Sequence, residues 1–471
     1  MKSDDALLLA WEKTLARGRE RPAIFGTNGK VLRAFGEIET RAQELESKID
    51  IFERGSRIAI QIGNHADWPS IFIACLRRGL IVLPLEQSMN EKQRDAALKI
   101  CDVAGVVAAG VSAGSDIQVL PLGTAAATTR WEDPPSLLKL TSGTTATPRA
   151  IRFRGEQLLA DCDQICATMG ISDADLNFGV IPISHSYGFS NLLTPLIARA
   201  VPIVLSHDRT PRAVLVDLAR TNATVFPGMP IFYQAFCEME NVRAGLAVEE
   251  LPKLRLCISA GAPLSTSVAK KFQERFGLAI HSFYGASECG GICYDREPKN
   301  EIDGFVGEPM KDVDLEIVDP TDEASQVRVS SAAVGDGYFP EPDPEKLGNG
   351  IFLPDDLLMR YDSGFKIVGR ISDLINVAGK KLNPAVIEAV LLRFPGVRQA
   401  VAFGRESALR NEEIAACVAT DVDPSETDLI EFCRRELTAW QVPKRIFIID
   451  AIPVNERGKI SRRKLARRFV L

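Results

Sequence analysis

The segment Leu140-Thr141-Ser142-Gly143-Thr144-Thr145-Ala146-Thr147-Pro148-Arg149 packs five hydroxyl side chains around one glycine and follows them with a cation. Hydroxyls and turn-exposed amides donate to phosphate oxygens, and Arg149 adds positive charge, so phosphate binding is the chemistry this run could do. The pattern GxxxxGK[ST] is absent, so it is not a Walker loop. By composition alone, a Ser/Thr/Gly-rich run is more often a solvated loop, so composition does not carry the claim. Other chemistries lack their spacing. The four histidines, His65, His185, His207 and His281, form neither HxH nor HExxH. The ten cysteines are scattered singly, and Cys289-Gly-Gly-Ile-Cys293 has no second pair, so these read as reduced core or pocket thiols rather than zinc ligands. Neither a nucleophile triad nor a carboxylate dyad stands out.

A loop of this kind needs a rigid edge to stand on. Between residues 56 and 290, short β-branched runs predict buried strands at 57–62, 80–85, 103–109, 176–183, 201–206, 223–228, 254–260 and 278–284. Helical patterns lie between several of them. Thr210-Pro211 opens one that ends near Asn222, and Ser265 opens another that stops at Gly277. Gly79 and Gly170 stand where helix C-termini belong. This alternation predicts an α/β fold, a large N-terminal domain of packed parallel or mixed sheets with flanking helices. After residue 300 the texture changes: strands at 313–318 and 326–330, a Pro/Asp/Gly-rich stretch at 335–350, and a strand at 364–370. Asn383-Pro384 then starts a helix, and strands 397–403, 414–420 and 445–449 with helix 425–437 complete a small α+β unit. The predicted division is 1–370 and 371–471.

The chain has 471 residues, 46% apolar and 25% charged, with 56 Lys and Arg against 62 Asp and Glu, so its net charge is −6. No global basic field points to nucleic acid. The apolar stretch 71–85 is broken by Arg77 and Arg78, which argues against a membrane span, and the N-terminus does not read as a signal peptide. A cytoplasmic protein, monomer or homodimer, is expected.

The order of residues in the hydroxyl-rich loop resembles the TSGTTGxPKG phosphate loop of the adenylate-forming (AMP-binding) superfamily, which holds acyl- and aryl-CoA synthetases, peptide-synthetase adenylation domains and luciferases. Ala146 replaces a Gly of that pattern and Arg149 a Lys. Further segments follow in the family's order. Pro182-Ile183-Ser184-His185-Ser186-Tyr187-Gly188 resembles PxxHxxG, whose His lies beside the carboxylate pocket. Gly261-Ala262-Pro263 resembles the segment along the adenine. Tyr284-Gly285-Ala286-Ser287-Glu288 is similar to YGxTE, with an aromatic face for adenine, Gly for close approach and a carboxylate for Mg²⁺. Residues 349–356 occupy the place of GWFxTGD and end on Asp356, which would chelate the ribose hydroxyls. Gly369-Arg370-Ile371-Ser372-Asp373 matches GRxDD, with Arg370 on the ribose and Ser372 at the hinge. Pro453–Ile460 resembles PxxxxGKI, whose mobile lysine would be Lys459. The resemblance covers essentially the whole chain.

It implies an acyl-CoA synthetase or related acyl-activating ligase with a mobile C-terminal cap. ATP would bind through Thr141, Ser142, Gly143, Thr144 and Thr145, with Arg149, Gly261, Ala262, Pro263, Tyr284, Gly285, Ser287, Asp356 and Arg370. Mg²⁺ would sit on Glu288 and Thr144. Lys459, His185, Glu288 and Arg149 would serve adenylation of a carboxylic acid. The cap would then turn about Ser372 and bring Gly379 to a tunnel for the thiol of coenzyme A. The neighbourhood of Tyr187, Phe189, Phe232, Tyr233, Gly290, Gly291 and Ile292 offers no obvious second charge, which argues against amino acids and polar acids and fits an aliphatic or aryl tail. The stretch from His185 to Ala200 resembles the fatty-acyl branch, which implies a fatty or aliphatic acid. The alternatives are a ligase loading the phosphopantetheine of an acyl carrier protein, and a non-catalytic adenylate-binding protein.

Overall fold

The computed structural model describes residues 5–110, 116–123, 131–141, 149–239, 251, 253–299, 301–319, 324–377, 379–407, 411–453 and 460–469. The chain forms two compact units: Met1–Glu316 with Arg328–Pro354 and Tyr361–Phe365, and Ile317–Val327 with Asp355–Arg360 and Lys366–Leu471.

Two large sheets carry most of the larger unit, beside a small four-stranded one. In the first, parallel strands run in the order Pro22–Gly26, Ile203–Leu205, Asn177–Gly179, Val225–Gly228, Leu256–Ser259 and Ile280–Ala286. Gly290–Tyr294 and Phe305–Pro309 continue it antiparallel. Beneath it, Phe178, Phe226, Phe236 and Phe272 are fully buried, as adjacent parallel strands with helices on their faces require. The second sheet has the order Gly337–Phe339, Ala150–Phe153, Leu137–Leu140, Ile81–Pro84, Arg57–Gln61, Val103–Ala108 and Gln118–Pro121. Its four strands from Leu137–Leu140 to Val103–Ala108 are parallel, and its outer pairings are antiparallel.

Helix ends follow local chemistry. Gly79, Gly170 and Gly277 close helices in the left-handed conformation at φ of 64°, 62° and 67°, and Asn222 does so at 54°. The smaller unit sets Ile375–Val377, Lys380–Leu382, Val397–Ser407, Asn411–Thr420 and Arg445–Ile448 in one sheet. Its helices Pro384–Leu391 and Glu426–Glu436 bury Ile387, Leu391, Leu429 and Cys433 on that sheet's core. Asn383 caps the first by accepting from the Ala385 amide.

All eight strands expected between 56 and 290 are present, one of them much shortened: the run 176–183 is a strand only over Asn177–Gly179. The Pro/Asp/Gly-rich stretch 335–350, for which composition suggested no element, is partly ordered in strands. It holds the strand Gly337–Phe339 and the start of a hairpin in which Leu347–Gly348 pairs with Ile351–Phe352. Asn349 and Gly350, both at positive φ (54° and 74°), make its two-residue turn. Among the described residues no helix is long and apolar enough to cross a membrane.

Candidate active site

Parallel strands bring their C-terminal ends to one edge, where loops can converge on a ligand. Three of the sequence-derived segments leave that edge of the first sheet. After Gly179 the chain turns through Pro182 to His185, which is the N-cap of the turn Ser186–Gly188. Its Nδ1 accepts from the Tyr187 amide at 3.2 Å. Gly188 is required there, because a Cβ would run into the Pro182 carbonyl oxygen. Gly261, at φ 84°, opens the exposed turn Gly261-Ala262-Pro263 beyond the strand Leu256–Ser259. Ser287 and Glu288 form the tip of the hairpin between Ile280–Ala286 and Gly290–Tyr294. Ser186 donates to the Ser287 hydroxyl at 2.9 Å, so the histidine segment and the hairpin tip are tied directly. Tyr284 is buried, keeping 8% of its surface, and Gly285 is exposed beside it.

The hydroxyl-rich loop springs from the second sheet. The strands Leu137–Leu140 and Ala150–Phe153 pair antiparallel, and Thr141 closes the loop by donating its amide (2.8 Å) and its hydroxyl (3.1 Å) to the Arg149 carbonyl. Ser142, Gly143, Thr144, Thr145 and Ala146 lie outside the described residues. Arg149 lies over the Tyr338 ring at 4.2 Å, with Asp343 at 3.9 Å. Tyr338 donates its hydroxyl to Glu288 Oε1 at 3.1 Å, and the Gly335 amide donates to the Glu288 carbonyl at 2.9 Å. Burial and the Glu288 carboxylate push the Tyr338 phenol up, so it remains a donor. Thr141, Arg149, Ser287, Glu288 and the His185 segment thus meet in the larger unit.

The other expected residues belong to the smaller unit. Arg370 Nε donates to Asp356 Oδ1 at 2.6 Å, and the Ile371 amide donates to the Asp355 carbonyl at 2.8 Å. Ser372 sits in the exposed turn Ile371–Asp373. Gly379, at φ 89°, is exposed in the turn between Ile375–Val377 and Lys380–Leu382, where its amide donates to Asn376. Lys459 lies outside the described residues.

The model of AMP-binding enzymes matches residues 11–339, and that of the AMP-binding enzyme C-terminal domain matches 386–459. The chain belongs to the AMP-binding enzyme family. An oxalate–CoA ligase of Arabidopsis thaliana is 28% identical over 479 residues, covering 92% of each chain. A long-chain-fatty-acid–CoA ligase of Escherichia coli is 24% identical over 536 residues, 98% of this chain and 94% of that one. The ATP-bound crystal structure of MatB from Rhodopseudomonas palustris has the same fold, with a TM-score of 0.85 at 21% identity over 100% of this chain and 99% of that one.

In an AMP-binding enzyme, Glu288 offers one carboxylate of the kind a hard cation accompanying nucleotide phosphates takes. Among the described residues no group of three or more His, Cys, Asp and Glu side chains could form a metal cage. A single oriented carboxylate plus substrate phosphates is a known manner of Mg²⁺ binding, and Glu288 fits it.

The aromatic row expected to line an acyl pocket is largely core instead. Phe189 is buried against Phe72 at 5.3 Å, and Phe232 and Tyr233 pack on Phe226 at 6.1 and 5.5 Å. The Tyr233 hydroxyl is satisfied by the Ile258 carbonyl at 2.8 Å. Tyr187 alone of the four is half-buried, its ring 5.9 Å from Phe283. Three site residues escaped the sequence reading. Tyr338 stood in the Pro/Asp/Gly-rich stretch 335–350, to which no element was assigned. Asn64 shapes the His185 segment from another sheet. Asp161, buried on the helix Gly155–Met169, accepts from the Gly291 amide at 3.0 Å and fastens the hairpin that carries Glu288.

Proposed function

We propose that this AMP-binding enzyme is an acid–thiol ligase. The carboxylate of its substrate attacks the α-phosphorus of ATP; a P–O bond to the acyl oxygen forms, the bond to pyrophosphate breaks, and an acyl-adenylate results. The thiol of coenzyme A then attacks the acyl carbon, and AMP leaves. The observation that carries this reading is the meeting of Thr141 and Arg149, from the second sheet, with Glu288 and the His185 segment, from the edge of the first. It joins a phosphate-loop cation, a carboxylate suited to Mg²⁺ and a polar wall for the acid. The Mg²⁺ ion, held by Glu288 and Thr144, would neutralise charge on the phosphates.

In this proposal Ser142, Gly143 and Thr145 bind phosphate, Gly261, Ala262, Pro263, Tyr284 and Gly285 hold the adenine, and Asp356 and Arg370 hold the ribose. Residues 1–370 act as the ATP and acyl domain and 371–471 as the mobile cap. Lys459 serves adenylation, and Gly379 lines the thiol path. The acid carries an apolar, aliphatic tail; the half-buried Tyr187 ring beside Phe283 and the buried Ile292 support this. The fatty-acid relative supports it as well, while the oxalate relative marks the competing class.

Acid-dependent exchange of labelled pyrophosphate into ATP, over panels of fatty, aromatic and dicarboxylic acids, tests both levels. Exchange driven by fatty acids is expected. Exchange with short dicarboxylates alone overturns the tail class, and no exchange with any acid overturns the ligase. Thioester yield with coenzyme A against a holo-carrier protein then identifies the acceptor.

A further inference from the structure

The Glu288 side chain stands over one face of the second sheet, and that face carries two polar side chains in register. Lys139 on Leu137–Leu140 and Tyr338 on Gly337–Phe339 are both paired directly with Ile151, so all three point to the same side. Lys139 and Tyr338 are both buried, at 5% and 3% exposure. A buried ammonium is costly without compensation. Lys139 lies over the faces of Phe153 at 4.5 Å and Phe189 at 5.7 Å, and the ionisable groups facing it are Asp161, Cys289 and Glu288. Its burial lowers its proton affinity, which those groups oppose.

Tyr338 has the more specific geometry. Its hydroxyl donates to Glu288 Oε1 at 3.1 Å, while its ring face receives the Arg149 guanidinium at 4.2 Å. One rigid side chain therefore touches both the carboxylate and the cation assigned to the nucleotide, and they come from different sheets. Glu288 is also fixed by its backbone, through the Gly335 amide, and its hairpin by Asp161. The Tyr338 hydroxyl, as a directed donor, restricts rotation of the carboxylate about its side chain.

We propose that Tyr338 is a positioning residue that orients the Glu288 carboxylate for the cation accompanying ATP and seats Arg149 against the phosphates, with Lys139 as the buried counter-charge beneath. This rests on the ligase reading above only for the identity of the nucleotide. The two functions of the tyrosine are separable: the hydroxyl serves the cation, and the ring serves the guanidinium.

Calorimetric titration of ATP into the full-length protein at graded Mg²⁺, without any acid, tests this with Tyr338→Phe and Tyr338→Leu. Thermal melting of each variant checks that it is folded. The Phe variant should need about tenfold more Mg²⁺ for half-maximal ATP binding, as loss of a ligand-orienting hydrogen bond typically gives. The Leu variant should show that same shift and, at saturating Mg²⁺, a further loss of about fivefold in ATP affinity, because Arg149 has lost its ring. A Phe variant with the wild-type Mg²⁺ dependence overturns the role of the hydroxyl. Equal ATP affinities for Phe and Leu at saturating Mg²⁺ overturn the role of the ring. If the wild type binds Mg·ATP but exchanges no pyrophosphate with any acid, the ligase reading falls while the Mg²⁺ titration still decides the role of Tyr338. If the wild type binds no ATP at all, both fall.

Discussion

Asn64 holds the approach to His185 in place from outside the segment that carries it. It is buried, its Nδ2 donates to the carbonyls of Gly179 (3.1 Å) and Ile181 (3.2 Å), and its Oδ1 accepts from the Ile183 amide at 2.9 Å. They satisfy the Ile181 carbonyl and the Ile183 amide, while the Gly179 carbonyl also accepts from the Ser206 amide at 3.2 Å, and so they hold the chain as it leaves the strand and turns towards His185. Replacing Asn64 by Leu keeps the size but takes this partner from the Ile181 carbonyl and the Ile183 amide, at about 1–3 kcal/mol each. Urea unfolding should therefore show Asn64→Leu several kcal/mol less stable. In surviving protein, KM for the acid should rise by more than KM for ATP, because the turn at 261–263 is held independently. Equal changes in both would contradict a local action. His185 was legible because its motif is contiguous. Asn64 and Tyr338 were not, since each reaches its partner across space, and nothing near them in sequence marks that contact.

Elements show the same division between local and distant causes. The ends of helices were readable because a left-handed C-cap is decided by one residue: Gly79, Gly170, Gly277 and Asn222 all stop helices where expected. Sheet order was not readable, and Ile203–Leu205 lies between Pro22–Gly26 and Asn177–Gly179 only because packing places it there. The basic run at the C-terminus combines both. Read as charge alone, it is a solvated face or a surface for the phosphates of coenzyme A or an acidic carrier. Yet Arg462, the first residue of the helix Arg462–Arg468, donates to Asp373 at 2.7 Å, to both oxygens of Glu388 at 2.8 and 3.1 Å, and to the Ala402 carbonyl at 3.1 Å. It fastens that helix to the turn Ile371–Asp373 and to the helix Pro384–Leu391. Its side chain is about a quarter exposed, so solvent screens the network, and Arg462→Leu should destabilise the smaller unit by about 2 kcal/mol. Arg462→Lys should recover little of this, because one ammonium does not reproduce a fork spanning two carboxylates and a carbonyl. Chemical denaturation followed by the fluorescence of Trp440, in the smaller unit, measures both. Full recovery by Lys would show that charge alone matters.

At the scale of the molecule, the residues assigned to one reaction are divided between two units. Thr141, Arg149, His185 and Glu288 belong to the larger, and Asp356, Arg370, Gly379 and Lys459 to the smaller. The smaller unit also takes in 317–327 and 355–360, so the chain passes between units several times before residue 370. Linear composition suggested a single division at 370/371, where the small α+β pattern begins; the earlier passages are defined by contacts between segments distant in sequence, which composition does not show. The proposed role of Lys459 gives this division its sharpest test, because the two half-reactions differ in where charge develops. Attack on the α-phosphorus builds negative charge on phosphoryl oxygens, which a cation from the smaller unit would stabilise. Attack of a thiol on the finished adenylate expels AMP, whose phosphate needs no further charge. Lys459→Ala should therefore slow adenylation by at least about 10²–10³-fold, by analogy with the loss of one transition-state donor. Thioester formation from supplied acyl-adenylate and coenzyme A should stay near wild type. Single-turnover assays of the two steps separate these outcomes. Equal loss in both would mean that Lys459 acts on something the steps share, such as nucleotide binding or the integrity of the smaller unit. The assignment of adenylation chemistry to that unit would then fail.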